Sequence, residues 1–149
     1  MATFNKIADF VENAVENMNL GTDQFKVALT NTTPGSESTP PTGDGAGVLA
    51  NLTEVGNYGN LSGSNPQNIT TTSSSQTGGT YKLVLADLTL TASGGAVGPF
   101  RYIYIYNDTV TSPADPLVGY YDYGSSITLN DGDSFTIDFD ASNGVIQLS

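Results

Sequence analysis

The residues best able to do chemistry in this chain are its carboxylates. Asp131, Asp133, Asp138 and Asp140 lie in one short segment, and Asp108, Asp115 and Asp122 precede them in the same half. Two chemistries use such sets. Calcium takes roughly six to eight oxygen ligands, several of them carboxylates. Paired carboxylates hydrolyse glycosides when held about 5 to 9.5 Å apart across a cleft. The spacing here matches no EF-hand loop, and Asp138 and Asp140 alternate as an exposed strand face does, where charge discourages edge-to-edge association. A glycosidase also needs aromatic platforms around its groove. The chain has no tryptophan, and its eight tyrosines gather mostly in 102–106 and 120–123. Packed rings with hydroxyls at the core rim account for them there.

Nucleophilic chemistry fares no better. Cysteine and histidine are absent, which removes the thiol nucleophile, the usual general base and most zinc, copper and haem ligands. No G-x-S-x-G elbow, S-x-x-K motif or phosphate-binding loop occurs, and Gly94-Gly95 has no helix pattern behind it. The reading of the site is therefore no catalytic residue, no cofactor and no metal, and the protein is expected not to be an enzyme.

Charge narrows the partners. Four basic residues (Lys6, Lys26, Lys82, Arg101) face fifteen acidic ones, for a net charge of −11. Binding to phosphate backbones or to an anionic membrane needs clustered Lys and Arg, so neither nucleic acid nor membrane is an expected partner. Such a chain suits a basic or neutral protein surface. No stretch reads as a signal peptide, and no apolar run approaches the ~20 residues that span a bilayer. Synthesis in a cytoplasm is expected. Five N-x-[ST] triplets begin at Asn31, Asn51, Asn60, Asn68 and Asn107. In a chain this rich in Asn, Ser and Thr, they read as chance.

The elements that would position these groups are mostly strands. Of 149 residues, 38% are apolar and 13% charged, about half the usual charged share. Residues 3–18 read as a helix with Thr3 as N-cap, an apolar stripe of Phe4, Ile7, Val11, Ala14, Val15 and Met18, and Lys6, Asp9, Asn13 and Glu16 opposite. This helix either covers one end of the core or forms an arm that docks on another subunit. Phe25, Val27 and Leu29 alternate as a half-buried strand. Residues 32–47, with three prolines and four glycines, form a long loop that is either an inert excursion or a contact with a neighbour.

Residues 48–55 predict a short strand or turn. Residues 56–79 are of low complexity, with an edge strand over 68–74. Strands follow over 80–85, 88–92, 100–106, 117–121, 126–129, 134–139 and 145–148, punctuated by Gly, Pro, Asn and Asp. In 100–106, Phe100, Tyr102, Tyr104 and Tyr106 share one face and Arg101, Ile103 and Ile105 the other. Apolar groups on both faces predict a central strand. The pattern predicts a mainly β chain: an antiparallel, jelly-roll-like sandwich of about eight strands preceded by one N-terminal α-helix. It is read as one domain over 1–149, with the sandwich from residue 22 and long loops at 32–47 and 56–79.

Several stretches also resemble a known family. They are Phe25-Lys26-Val27-Ala28-Leu29-Thr30-Asn31-Thr32, Gly79 to Asp87, Thr91 to Gly95, Gly98-Pro99-Phe100-Arg101-Tyr102, Tyr106 to Thr109, Asp122 to Leu129, Asp131-Gly132 and Phe135 to Phe139. Together they are similar to small virion structural proteins of tailed bacteriophages, over most of residues 3–148 and least in 33–47 and 57–70. The resemblance implies a capsid decoration (cement) protein on the outer surface of the head. Its partners would be the major capsid protein and itself, as a dimer or trimer. It would be made in the bacterial host cytoplasm, and the resemblance carries no catalytic residues. The alternative is a tail- or baseplate-associated structural or adhesion jelly-roll module; a polysaccharide-degrading enzyme is the third reading. On the decoration reading, the residues expected at the capsid or subunit interface are Phe4, Ile7, Val11, Val15, Pro40 and Pro41.

Overall fold

The structure, a computed structural model, describes residues 2–35, 41 and 45–149. In chain order the elements are β1 (Phe4–Lys6), α1 (Asp9–Glu16), β2 (Phe25–Thr30), single 3-10 turns at Leu49–Asn51 and Tyr58–Asn60, β3 (Asn68–Ile69), β4 (Thr71–Thr77), β5 (Thr80–Leu85), β6 (Leu88–Thr91), β7 (Val97–Asn107), β8 (Leu117–Leu129), β9 (Ser134–Ile137) and β10 (Ile146–Leu148). The strands form a five-stranded sheet in the order β1-β8-β7-β2-β3, a three-stranded sheet β10-β5-β4 and a two-stranded ribbon β6-β9. All pairings are antiparallel. The fold is thus mainly β with one helix near the N-terminus, as the sequence predicts. Ten strands are present among the described residues.

The centre of the large sheet is β2 against β7. Val27, Ala28 and Leu29 of β2 are all fully buried, as are Tyr104 and Ile105 of β7. Both faces of each strand are covered, so β2 is not half-buried as its alternation suggests. Each large apolar side chain withdrawn from water here contributes about 2 kcal/mol. Phe100 sits edge-on to Phe135 of the ribbon, with ring centroids 5.7 Å apart. Tyr121 of β8 lies 6.2 Å from Phe139. One continuous apolar core, from Ile7 to Ile146, joins the sheets.

Three local readings are corrected. The predicted helix over 3–18 is shorter, because its first residues pair with β8: Phe4 opposite Tyr121, Asn5 opposite Tyr120, Lys6 opposite Gly119. Gly119 has no side chain, and the Phe4 ring occupies the space where its Cβ would stand. Thr3 therefore caps nothing; Ala8 stands at the helix start, without a side-chain cap. Residues 117–129 form one strand instead of two. Gly124, at φ +94°, lets the chain bend without leaving the sheet, and Asp122 Oδ1 accepts the Gly124 N–H at 2.8 Å. In β7 the register shifts on either side of Phe100. The irregularity changes the alternation, so Phe100 meets Phe135, which lines a cleft together with Ile103 rather than with Tyr102.

The predicted edge strand over 68–74 is present as β3 and β4, each at the rim of a different sheet. Residues 48–55 hold a 3-10 turn and isolated bridges to Pro116 and Thr30. Of the long loop, residues 36–40 and 42–44 lie outside the described residues.

Candidate functional site

Of the expected interface residues, Val11 and Val15 lie on α1, and Phe4 and Ile7 lie just before it. Ile7 ends the β1 pairing by donating its N–H to Val118 O at 3.0 Å. The chain then turns into α1, where Asp9 and Glu12 occupy the first turn, favourably placed against the positive end of the helix dipole. Asp9 does not cap its own helix. Its carboxylate accepts the N–H of Gly45 at 2.9 Å and of Gly47 at 2.8 Å. This clamp fixes the end of the long loop on the helix. Gly47 is required there: a Cβ would sit 2.9 Å from Ile7 Cγ2 and 3.0 Å from Asp9 Cβ. At the other end, the N–H groups of Asn17 and Met18 both donate to Asn13 O at 2.9 Å.

The inner face of α1 carries Phe10, fully buried, with Asn13 buried beside it and Ala14 partly buried against the core. Asn13 tolerates burial because its Oδ1 accepts from Asn17 Nδ2 at 3.0 Å. The outer face carries Val11 and Val15, four residues apart, 47% and 81% exposed. Glu12 and Glu16 are exposed next to them. The result is an apolar ridge with carboxylates along one side, on a helix whose other side, through Phe10, Asn13 and Ala14, is held to the core.

The six expected residues therefore separate. Val11 and Val15 lie on the open ridge. Phe4 is half-buried, its ring 5.3 Å from Tyr121. Ile7 is fully buried and is corrected from an interface residue to a core residue, because the β1 pairing turns it under Gly47. Pro41 is also buried; with no N–H to satisfy, its ring can be withdrawn from water without losing a hydrogen bond. Pro40 lies outside the described residues. The choice between a core-covering helix and an arm resolves toward the core, with one outer ridge left open.

The carboxylates of 131–140 mostly close turns. Asp131 accepts the Gly94 N–H at 2.8 Å, Asp133 the Asn130 N–H at 2.9 Å, and Asp140 the N–H groups of Ser142 and Asn143. Hydrogen bonds from Asn143 foremost hold the Asp140 carboxyl below the usual carboxylate range. Among the described residues, no three acidic side chains converge on a metal position. Asp122 forms a two-point pair with Arg101, at 2.8 and 3.0 Å, and these bonds depress its pKa. Asp115 behaves oppositely: partial burial, then the charge of Asp108, raises its pKa.

Two features escaped the sequence reading. Tyr58 reaches β2 from its 3-10 turn, accepting the Leu29 N–H at 2.7 Å and donating to Glu54 Oε1 at 2.9 Å. Burial foremost pushes its phenol above the usual tyrosine range. A cleft of about 190 Å³ between β8 and β9 is lined by Ala2, Ile103, Tyr121, Tyr123, Phe135, Thr136, Ile137 and Asp138. Burial, with the charges of Asp138, Asp140 and Asp87 adding, pushes the Tyr121 phenol up to about 12. Only the alternation in 117–123 and 134–139 hinted that these rings could meet; their meeting depends on how the ribbon crosses the sheet. No described helix is long and apolar enough to cross a membrane. Comparison with protein-family models, with curated proteins and with solved structures gives no match.

Proposed function

We propose that this chain is a structural component of a tailed-phage virion that binds the outside of the assembled head and stabilises it by bridging capsid subunits. The observation that carries this reading is the exposed ridge of Val11 and Val15, with Glu12 and Glu16 along one side of it. An apolar ridge edged on one side by carboxylates fits a shallow apolar groove on the capsid protein with basic residues along one rim. The net charge of −11 keeps the chain off packaged DNA and directs it to a basic protein surface. Modest affinity per copy suffices on a lattice, where many equivalent sites act together. Binding to the assembled state alone then stabilises that state by mass action.

The test is co-sedimentation with purified heads that lack the protein, comparing wild type with Val11→Asp/Val15→Asp. Both positions are exposed, so the double variant stays folded, with a modestly lower melting temperature from the added carboxylates beside Glu12, Glu16 and the helix C-terminus, and loses head binding. Retained binding by the folded variant removes the ridge from the interface. Copy number per virion, set against the major capsid protein, tests the location. A near-stoichiometric ratio supports the head, and a handful of copies refutes it. The second reading, a tail or baseplate adhesion module, draws support from the aromatic cleft, whose Tyr123 is half exposed beside Asp138. Rings with a carboxylate at the rim suit a sugar face and its hydroxyls.

A further inference from the structure

The longest strand lying at a sheet edge along its whole length is β4, seven residues of Thr, Ser and Gln (Thr71–Thr77). Natural edges are blunted by charge, proline or shortness. The other edge strands are shorter: β1 with three residues, ending in Lys6, β3 with two, β10 with three, and β6 and β9 with four each. Strand β4 has neither charge nor proline, and it lies in the chain's long uncharged stretch between Glu54 and Lys82. Its one irregularity, between Thr71 and Ser73, leaves residues 73–77 in regular register with β5.

The hydrogen-bond phase of that edge can be read from the hairpin. Gly78 and Gly79, at φ +61° and +86°, make the tight turn, and Thr77 pairs with Thr80. Alternation from that pair turns the main-chain groups of Ser73 and Ser75 toward β5 and those of Ser74 and Gln76 outward. The other side of β5 agrees: Leu83, opposite Ser74, has its carbonyl taken by Val145 N–H at 2.9 Å, away from β4. No backbone partner for Ser74 or Gln76 is present among the described residues.

We propose that this edge pairs with the same edge of a second copy, antiparallel about a two-fold axis at Ser75. Ser74 of each copy then faces Gln76 of the other, giving about four backbone hydrogen bonds, two for each such pair. On the outer face Ser75 meets its own counterpart and Ser73 meets Thr77, hydroxyl against hydroxyl, a favourable cross-strand combination. The strip is complementary to itself, because hydroxyl residues lie on both sides of Ser75, and this selects a second copy as the occupant. Two copies that each carry −11 repel across most approaches, and β4 lets them meet over a strip with no carboxylate. Beside the strip, Met18, Leu20, Tyr81 and Leu148 line a notch, with Leu148 40% exposed. The axis stands perpendicular to the sheet, so the two notches fall on one face of the joined six-stranded sheet and add apolar area to the contact. This pairing is independent of the reading of the ridge on α1.

Sedimentation equilibrium of the full chain at about 0.1 mM, where contacts of modest affinity are populated, gives the test. The expected mass is twice 15.5 kDa, with association strengthened by salt as like charges are screened. Gln76→Pro removes an outward N–H, and with it the bond from the Gly79 N–H to Gln76 Oε1 in the turn at 3.1 Å, but keeps the backbone ladder of β4 with β5; it weakens the dimer at least about tenfold. Ser75→Asp and Ser75→Lys each place like charges across the axis and give monomers; mixed one to one they pair again. That rescue separates loss of contact from loss of fold. A monomeric wild type, a trimer, or dimers that persist in Ser75→Asp overturn the proposal.

Discussion

Gly119→Ala is the sharpest test of how the N-terminal segment is held. In β8, Gly119 stands opposite Lys6 of β1. A Cβ at this position would lie 2.6 Å from the Asn5 carbonyl oxygen and would overlap the end of the Phe4 ring. The ring can swing, but the carbonyl is backbone. Restoring ordinary contact, at 3.4 Å or more, moves β1 away by about 0.8 Å, enough to carry flanking hydrogen bonds past their working range. One of these is Ile7 N–H to Val118 O, now 3.0 Å. Overpacking of this kind costs about 1–3 kcal/mol and each weakened hydrogen bond about 1 kcal/mol. A total loss of about 2–4 kcal/mol follows. Urea denaturation reads it as a lower midpoint at unchanged slope. Phe4→Ala removes the ring, so the double variant should be less destabilised than the sum of the singles by about 1 kcal/mol. A Gly119→Ala protein within about 0.5 kcal/mol of wild type, with strictly additive Phe4→Ala, would refute the packing of β1 on β8.

Other perturbations follow the same logic. Asp9→Ala removes both bonds to Gly45 and Gly47 and should cost about 2 kcal/mol, read by urea denaturation. Tyr58→Phe leaves the Leu29 N–H without its 2.7 Å partner and should destabilise by about 1–3 kcal/mol, measured by urea denaturation. Acid stability depends on carboxylates whose pKa values are shifted in opposite directions. Asp122 and Asp140 have depressed pKa values in the fold, so their stabilisation is present above the unfolded pKa and is lost as pH falls through the folded one. Between about pH 5 and 2 the melting temperature should drop, and Asp122→Asn and Asp140→Asn should each flatten that limb. The pKa of Asp115 is raised, so its ionisation opposes folding; Asp115→Asn should raise the melting temperature at neutral pH and narrow the gain on mild acidification.

The strands with one clear period were legible in the sequence. β5 falls where Tyr81, Leu83 and Leu85 alternate, and β7 reads as central because both its faces are apolar. The N-terminal segment was not. Phe4, Ile7, Val11, Val15 and Met18 satisfy a helical period, yet Phe4 belongs to a strand, and the buried stripe runs through Ile7, Phe10 and Ala14. Local spacing admits both arrangements, and the partner strand decides between them. Asn13 read as solvent-facing because it is polar; Asn17, four residues on, supplies the bond that lets it be buried.

The sequence by itself determined the class of the fold and the limits of the chemistry. Small hydroxyl residues, glycine punctuation and period-two runs require an antiparallel, mainly β chain. The absence of cysteine and histidine removes thiol and imidazole chemistry whatever the shape, and the net charge of −11 disfavours approach to anionic surfaces. Tertiary structure decided which groups face outward. It buried Ile7 and Pro41, left Val11 and Val15 open, spent Asp131, Asp133 and Asp140 on turns, and brought Tyr121, Tyr123 and Phe135 to one cleft. The physical reason is that residue type sets how a side chain interacts with water and with its immediate neighbours, whereas exposure depends on partners many residues away in the chain.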